Sequence, residues 1–277
     1  HHPEVPQRQL VGAPSAPKPA TISADSRSMG RRPSLHEQYA AVRLGLSTAT
    51  STDTINGEER TVAVSNDGSR LAVASSDGKV TVLDPESGDT THEFQREAYA
   101  MALAFSPDSS RLAMGGADNK VSVADLATGS IVYETTRADV VRTVAFSKEG
   151  GRLAVGGGDN KVSVLDADTG SPLYDVERTD IVRSAAFSPD GFTLAVGGDQ
   201  ATVALVVAET GEVTQEVDAG VGPVHQVAFS ADGMRLHVTG GGADALVANV
   251  DMETGAVTRA TPVEAPTMED DEDGEGE

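Results

Sequence analysis

One spacing constrains this chain more than any other feature. Ser65, Ser106, Ser147, Ser188 and Ser230 hold the same place in five look-alike segments, at steps of 41, 41, 41 and 42 residues. The segment from Val141 to Gly170, VRTVAFSKEGGRLAVGGGDNKVSVLDADTG, shows the pattern. Val144 and Phe146 alternate with small residues, Lys148-Glu149-Gly150-Gly151 breaks the run, and Leu153 and Val155 alternate again. After a second break at Gly156-Gly157-Gly158-Asp159-Asn160, Val162 and Val164 lead into the turn from Asp166 to Gly170. Alternation of period two between glycine-rich breaks predicts short β-strands joined by tight turns. One such sheet cannot hide both of its faces, so the copies must cover one another.

A repeat of about 40 to 45 residues with four strands each marks a β-propeller blade, whose faces are covered by its neighbours. The diagnostic residues are the turn Phe187-Ser188-Pro189-Asp190-Gly191, nearly repeated from Phe105 and Phe229, the L-A-x-G-G run, the Asp before the third strand, and the Leu-Asp or Ala-Asp that closes it. In these features residues 58 to 263 resemble the WD-repeat family. The resemblance implies an all-β propeller of about five recognisable four-stranded blades, either a closed five-bladed ring or part of a six- or seven-bladed one. It also implies a face where the loops into the first strands and those before the third strands meet around a central channel, and where similar proteins bind peptides or domains. Carried onto this chain, that face comprises Arg60, Met101, Arg142, Arg183 and His225 at the first-strand positions, with Asp77, Asp118, Asp159 and Asp199 on the neighbouring loops.

The departures from the family pattern are systematic. The chain has no tryptophan, and the Trp-Asp positions hold Leu83-Asp84, Ala124-Asp125, Leu165-Asp166, Val206-Val207 and Val250-Asp251. The family's histidine position is occupied by Arg96, Arg137, Arg178 and Gly220. These changes predict that the family's hydrogen-bonded tetrad is missing. Arg137 and Arg178 are expected to pair instead with the turn carboxylates Asp118, Asp159 or Asp199, partly in solvent and worth about 0 to 1 kcal/mol each. Phe105, Phe146, Phe187 and Phe229 are the expected core anchors, with Val64 leaving the first blade softest. Gly115-Gly116, Gly156-Gly157-Gly158 and Gly197-Gly198 recur at the blade period ahead of a strand rather than a helix, which predicts turn glycines and not a phosphate loop.

Outside the repeats the composition changes. Residues 1 to 33, rich in Pro, Ala, Ser and Arg without a period, are expected to form a disordered arm. Residues 34 to 46 show helical spacing at Leu35, Tyr39, Val42 and Leu46, with Ser34 and Glu37 as a capping box, or else form a worn blade fragment. The propeller is expected over 47 to 263, with Ser47 to Glu59 placed to supply a strand that closes the ring against the last blade. Residues 264 to 277 form an acidic, disordered tail. Arg31-Arg32-Pro33-Ser34 is a short match to targets of basic-directed kinases. The last repeat is two residues longer at Gly240-Gly241-Gly242-Ala243-Asp244.

The net charge of -22 disfavours nucleic acid and anionic membrane as partners and suits ordinary solubility, a salt-rich cytoplasm or an Asp-rich surface for a basic protein partner. With no cysteine there is no disulfide or thiol chemistry, and no apolar run reaches the roughly 18 residues of a membrane span. The chain does not begin with Met, and the cytoplasm is the expected compartment. No G-x-S-x-G, G-x-x-x-x-G-K or H-E-x-x-H motif occurs, and His225 and His237 share a blade without a third metal ligand. The expectation is a non-catalytic scaffold for protein partners, with no cofactor. The rivals are a quinoprotein-like dehydrogenase or lactone hydrolase built on a propeller, and a structural subunit whose ring a partner completes.

Overall fold

The computed structural model describes residues 51–55, 58–241 and 246–260, all within one unit spanning 34 to 277. The arm, the N-terminal helix or blade fragment, the acidic tail and most of the longer turn of the last repeat lie outside the described residues. Blade 1 holds β1 (Ser51–Ile55), β2 (Glu58–Val64), β3 (Leu71–Ala74), β4 (Lys79–Leu83) and β5 (Thr90–Gln95). Blade 2 holds β6 (Ala100–Phe105), β7 (Arg111–Gly116), β8 (Lys120–Asp125) and β9 (Ser130–Thr136). Blade 3 holds β10 (Val141–Phe146), β11 (Arg152–Gly157), β12 (Lys161–Asp166) and β13 (Pro172–Glu177). Blade 4 holds β14 (Val182–Phe187), β15 (Thr193–Gly198), β16 (Thr202–Val207) and β17 (Val213–Asp218). Blade 5 holds β18 (Val224–Phe229), β19 (Arg235–Gly240), β20 (Leu246–Asp251) and β21 (Val257–Ala260).

Each blade is an antiparallel meander, and consecutive blades meet through their first strands, β2 beside β6, β6 beside β10, β10 beside β14 and β14 beside β18. The inner strands are tied directly: the Thr143 hydroxyl accepts the Ala185 N–H at 3.1 Å, and the Ser184 hydroxyl accepts the Val227 N–H at 3.1 Å. Among the described residues β18 and β2 do not pack in this way, so among them the repeated contact does not close the ring between the last blade and the first. The strand expected to close it does something else. β1 pairs with β2, from Ser51 opposite Val62 to Ile55 opposite Glu58, while β21 already completes blade 5.

The faces at the two ends explain why closure by the repeated contact is absent. Blades 2 to 4 present Ala113, Gly115 and Val123, then Ala154, Gly156 and Val164, then Ala195, Gly197 and Leu205 to the next blade. The same places in blade 5 are His237, Thr239 and Asn249, exposed or half-buried. A polar outer face is how stacked repeats terminate. Blade 1 opens the series with an apolar cluster of Val62, Leu71, Val73 and Leu83, so the head and tail faces are chemically unlike.

Packing also revises two expectations. Leu112, Leu153, Leu194 and Leu236 on the second strands are 0% exposed, whereas of the expected anchors Phe105 and Phe229 are buried and Phe146 and Phe187 half-buried. The second strand lies inside the sheet with both faces covered; the end of the inner strand borders the axis, where packing is incomplete. The paired glycines end strands rather than make turns. A Cβ on Gly115, Gly156 or Gly197 would lie 2.4, 2.7 or 2.5 Å from the Cγ1 of Val141, Val182 or Val224 in the next blade. A Cβ on Gly116, Gly157 or Gly198 would strike the carbonyl oxygen of Tyr99, Val140 or Ile181 at 2.3, 1.9 or 1.9 Å. They are glycines because backbone and neighbouring blade approach too closely for a side chain.

Candidate docking site

Every inner strand from blade 2 onward carries a bulge at its start. In β10, Val141 pairs with Gly157 and Thr143 with Gly156, leaving Arg142 as the extra residue. The same slip isolates Met101 in β6, Arg183 in β14 and His225 in β18. A bulge re-aims the side chain it isolates. All four residues line one cavity of about 630 Å³ along the inner strands. Its other end is framed by the turns that follow those strands, at Asn66, Pro107, Lys148, Pro189 and Ala231. Among the described residues no carboxylate lines it, although the chain as a whole carries a net charge of -22.

The cations differ in how they are held. Arg183 is paired through Nε with Asp199. Arg142 makes no ion pair among the described residues, and its Nε is buried without a hydrogen-bond partner. Lys148 and His225 are exposed. Phe105, Phe146, Phe187 and Phe229 add aromatic wall. The site is therefore a channel with apolar sides and a free guanidinium, suited to an anionic group on a chain with apolar flanks.

Of the aspartates expected to alternate with these cations, Asp199 meets Arg183, whereas Asp118 and Asp159 are engaged elsewhere. Asp118 accepts from Arg96 Nη2 at 2.7 Å, and the two side chains are each 4% exposed. Arg96 also donates to the Ser122 hydroxyl at 2.9 Å and to the Lys120 carbonyl at 2.8 Å. Its backbone N–H meets the Gly78 carbonyl of the preceding blade, so one residue clamps two blades. Arg137 repeats the arrangement with Asp159 at 2.9 Å and the Lys161 carbonyl at 3.2 Å, again buried. The histidine-centred tetrad is thus replaced by a buried arginine network rather than lost, and the expectation of a partly solvated pair is corrected. Arg178 pairs with Glu216 of β17, not with a turn aspartate. Asp77 is exposed and accepts the Lys79 N–H at 3.0 Å. Arg60 stands in β2, opposite Asp53 of β1.

The remaining conserved-looking acids within the repeats serve turns. Asp67, Asp108, Asp190 and Asp232 each accept the hydroxyl of the serine two residues earlier, and those bonds hold their carboxyls below the usual range. Asp125, Asp166 and Asp251 are likewise lowered, by bonds from Thr128, Thr169 and Thr254. Burial pushes the Tyr133 phenol up to about 12. His237 Nδ1 is hydrogen-bonded to Asn249 Oδ1. Among the described residues no three His, Asp or Glu side chains gather as a metal site, and no helix is long and apolar enough to cross a membrane. The sequence pointed to Met101, Arg142, Arg183 and His225; Lys148 was missed because it replaces the proline of the family turn, the one visible signal.

Two families match parts of the chain. The family described as outer membrane protein assembly factor BamB matches residues 50–148, and the WD domain, G-beta repeat, matches residues 170–205. No curated protein matches. Among solved structures, a chain of a mitotic checkpoint complex crystal structure is similar, with a TM-score of 0.67 and 24% identity over 76% of this chain. The match spans 66% of that chain's length. Because 1796 solved chains match, the likeness speaks for architecture and leaves function to the site. Repeat sequence and architecture together make this chain a β-propeller of WD-repeat-like blades, with arginine at the family's histidine position and no tryptophan.

Proposed function

We propose that this propeller is a non-catalytic docking platform, with the cytoplasm as its compartment, and that protein partners insert an acidic segment into the axial cavity. The observation that carries the reading is the unpaired Arg142 in a cavity lined by Lys148, Arg183 and His225 and, among the described residues, by no carboxylate. A free guanidinium in a concave site recognises carboxylate or phosphate through paired N–H donors. Asp118 and Asp159 are taken up by Arg96 and Arg137, which leaves Arg142 as the unpaired charge of the bulge positions. Affinity capture with the full chain and with Arg142→Glu/Arg183→Glu tests the reading. Partners retained by the first and lost by the second support it; equal recovery moves docking to another surface. Absorbance and metal analysis of the purified chain test the enzymatic alternative, which needs a bound cofactor or metal.

A further inference from the structure

Blade 5 delivers the chain to the mouth of this cavity. Across its sheet, Val224 of β18 pairs with Gly240 of β19, Gly240 pairs with Leu246 of β20, and the neighbouring Val247 pairs with Ala260 of β21. Ala260, the last described residue, therefore lies in nearly one row with Val224, at the end of the inner strand where His225 faces the cavity. Three strand spacings separate them, about 14 Å. The next eight residues, Thr261 to Met268, span up to about 26 Å when extended. They lead into Glu269-Asp270-Asp271-Glu272-Asp273, the densest run of negative charge in the chain. The densest acidic segment is thus tethered within reach of the cavity that Arg142 and Arg183 line.

We infer that the acidic segment Glu269 to Glu277 folds back into the axial cavity and occupies it in competition with partners. The inference rests on reading the cavity as a site for acidic segments. Arg142 is the unsatisfied donor that the segment pairs with first; Arg183 and His225 stand at the same end of the inner strands, and Lys148 lies at the far end of the cavity. Tethering makes the contact intramolecular, so an outside acidic segment must compete against an effective concentration in the millimolar range. A surface charge contact of this kind weakens with salt, since the screening length falls to about 3 Å at 1 M.

The chain has no cysteine, so Gly276→Cys gives a single attachment point for a nitroxide on the full-length protein. The expected result is paramagnetic loss of the amide signals of Arg142, Thr143, Arg183, Ser184 and His225, with Ile131 and Leu173 on outer strands unaffected. The signals return in 1 M NaCl and in Arg142→Gln, a variant that removes charge without adding an acid. Uniform broadening, or none, overturns the inference. A second measurement separates it from the docking proposal: titration of a synthetic peptide of residues 266 to 277 onto a full chain whose five acids at 269 to 273 are changed to Gln or Asn. If the peptide perturbs the cavity signals while the nitroxide does not, self-docking fails and docking of acidic segments stands. If neither does, both fail.

Discussion

The junctions entering blades 2 and 3 and the junction entering blade 4 carry the same arginine, yet the bonds end differently. Arg96 and Arg137 reach turn aspartates that are buried with them, whereas Arg178 reaches Glu216, whose side chain is 43% exposed. The cause is a shift of one residue. Asp118 and Asp159 lie two places before Lys120 and Lys161, but two places before Thr202 stands Gln200, and Asp199 is one place earlier. Arg183 of the inner strand takes Asp199, and Gln200 bonds to Thr179 instead. The same cation is therefore a buried clamp at two junctions and a rim contact at the third, decided by the register of its acid.

The largest expected effect comes from breaking a buried clamp. Arg96→Ala leaves Asp118 buried without its cation and strips donors from Ser122 and the Lys120 carbonyl. Removing one partner of a buried pair costs about 3 to 5 kcal/mol. Chemical denaturation should show that loss for Arg96→Ala and a similar one for Arg137→Ala. A change under 1 kcal/mol in both would return these pairs to the solvent-exposed class.

Next is the blade contact itself. Gly156→Thr installs in blade 3 the residue that blade 5 carries at Thr239, with its Cβ 2.7 Å from Val182 Cγ1. Overpacking of this kind costs about 1 to 3 kcal/mol. Thr239→Ala, on the face no described blade covers, should stay within about 0.5 kcal/mol. Equal costs at the two sites would mean that blade 5 is covered as the others are.

These sites also mark how far the sequence could be read. The period, the strand alternation and the Ser-x-Asp turns at Ser106 and Asp108 or Ser188 and Asp190 were legible, because they are local and recur, the turns in four of the five repeats. The four cavity residues were legible as positions but not as a cavity, since a bulge depends on how β10 and β11 register and leaves no mark in composition. The close approach at Gly157 was hidden for the same reason: its partner, the Val140 carbonyl, is fixed by the fold and not by neighbouring residues. Asp199 was grouped with Asp118 and Asp159 because one residue of slip is invisible without the hydrogen bonds. Whether the ring closes was beyond reach, although His237, Thr239 and Asn249 already stood where small or apolar residues recur.

At the third junction Arg178 is buried but its acid is exposed, so Arg178→Ala should cost no more than about 1 kcal/mol in charge pairing, because Glu216 can turn to water. Its contribution has a definite pH sign. Arg178 holds the Glu216 carboxyl below its ordinary value. Stability from the pair is therefore complete above the usual glutamate range and lost as pH falls through the lowered value. Unfolding curves of the variant should approach the parent's at acid pH. A gap that stays constant down to full protonation would assign the effect to packing of the arginine stem.

The smallest effect concerns blade 4 again, and it is a gain. Asp125, Asp166 and Asp251 close their third strands by accepting the N–H groups two and three residues on. Blade 4 has Val207 there, and the Thr210 N–H reaches only the Val207 carbonyl at 3.3 Å. The residue opposite has changed too: Arg111, Arg152 and Arg235 pair across the ladder with the three aspartates, while Thr193 pairs with Val207. Asp at this place mimics a backbone turn, so Val207→Asp should raise Tm by roughly 1 to 3 °C. Thr193→Arg alone should do nothing, because its partner is apolar. Together they should exceed the sum of the singles, since opposite charges facing each other on adjacent strands attract. Strict additivity would show that the turn bonds alone account for the aspartate, and that the arginines opposite it are kept for some other contact, such as the one Arg111 makes with Asp168.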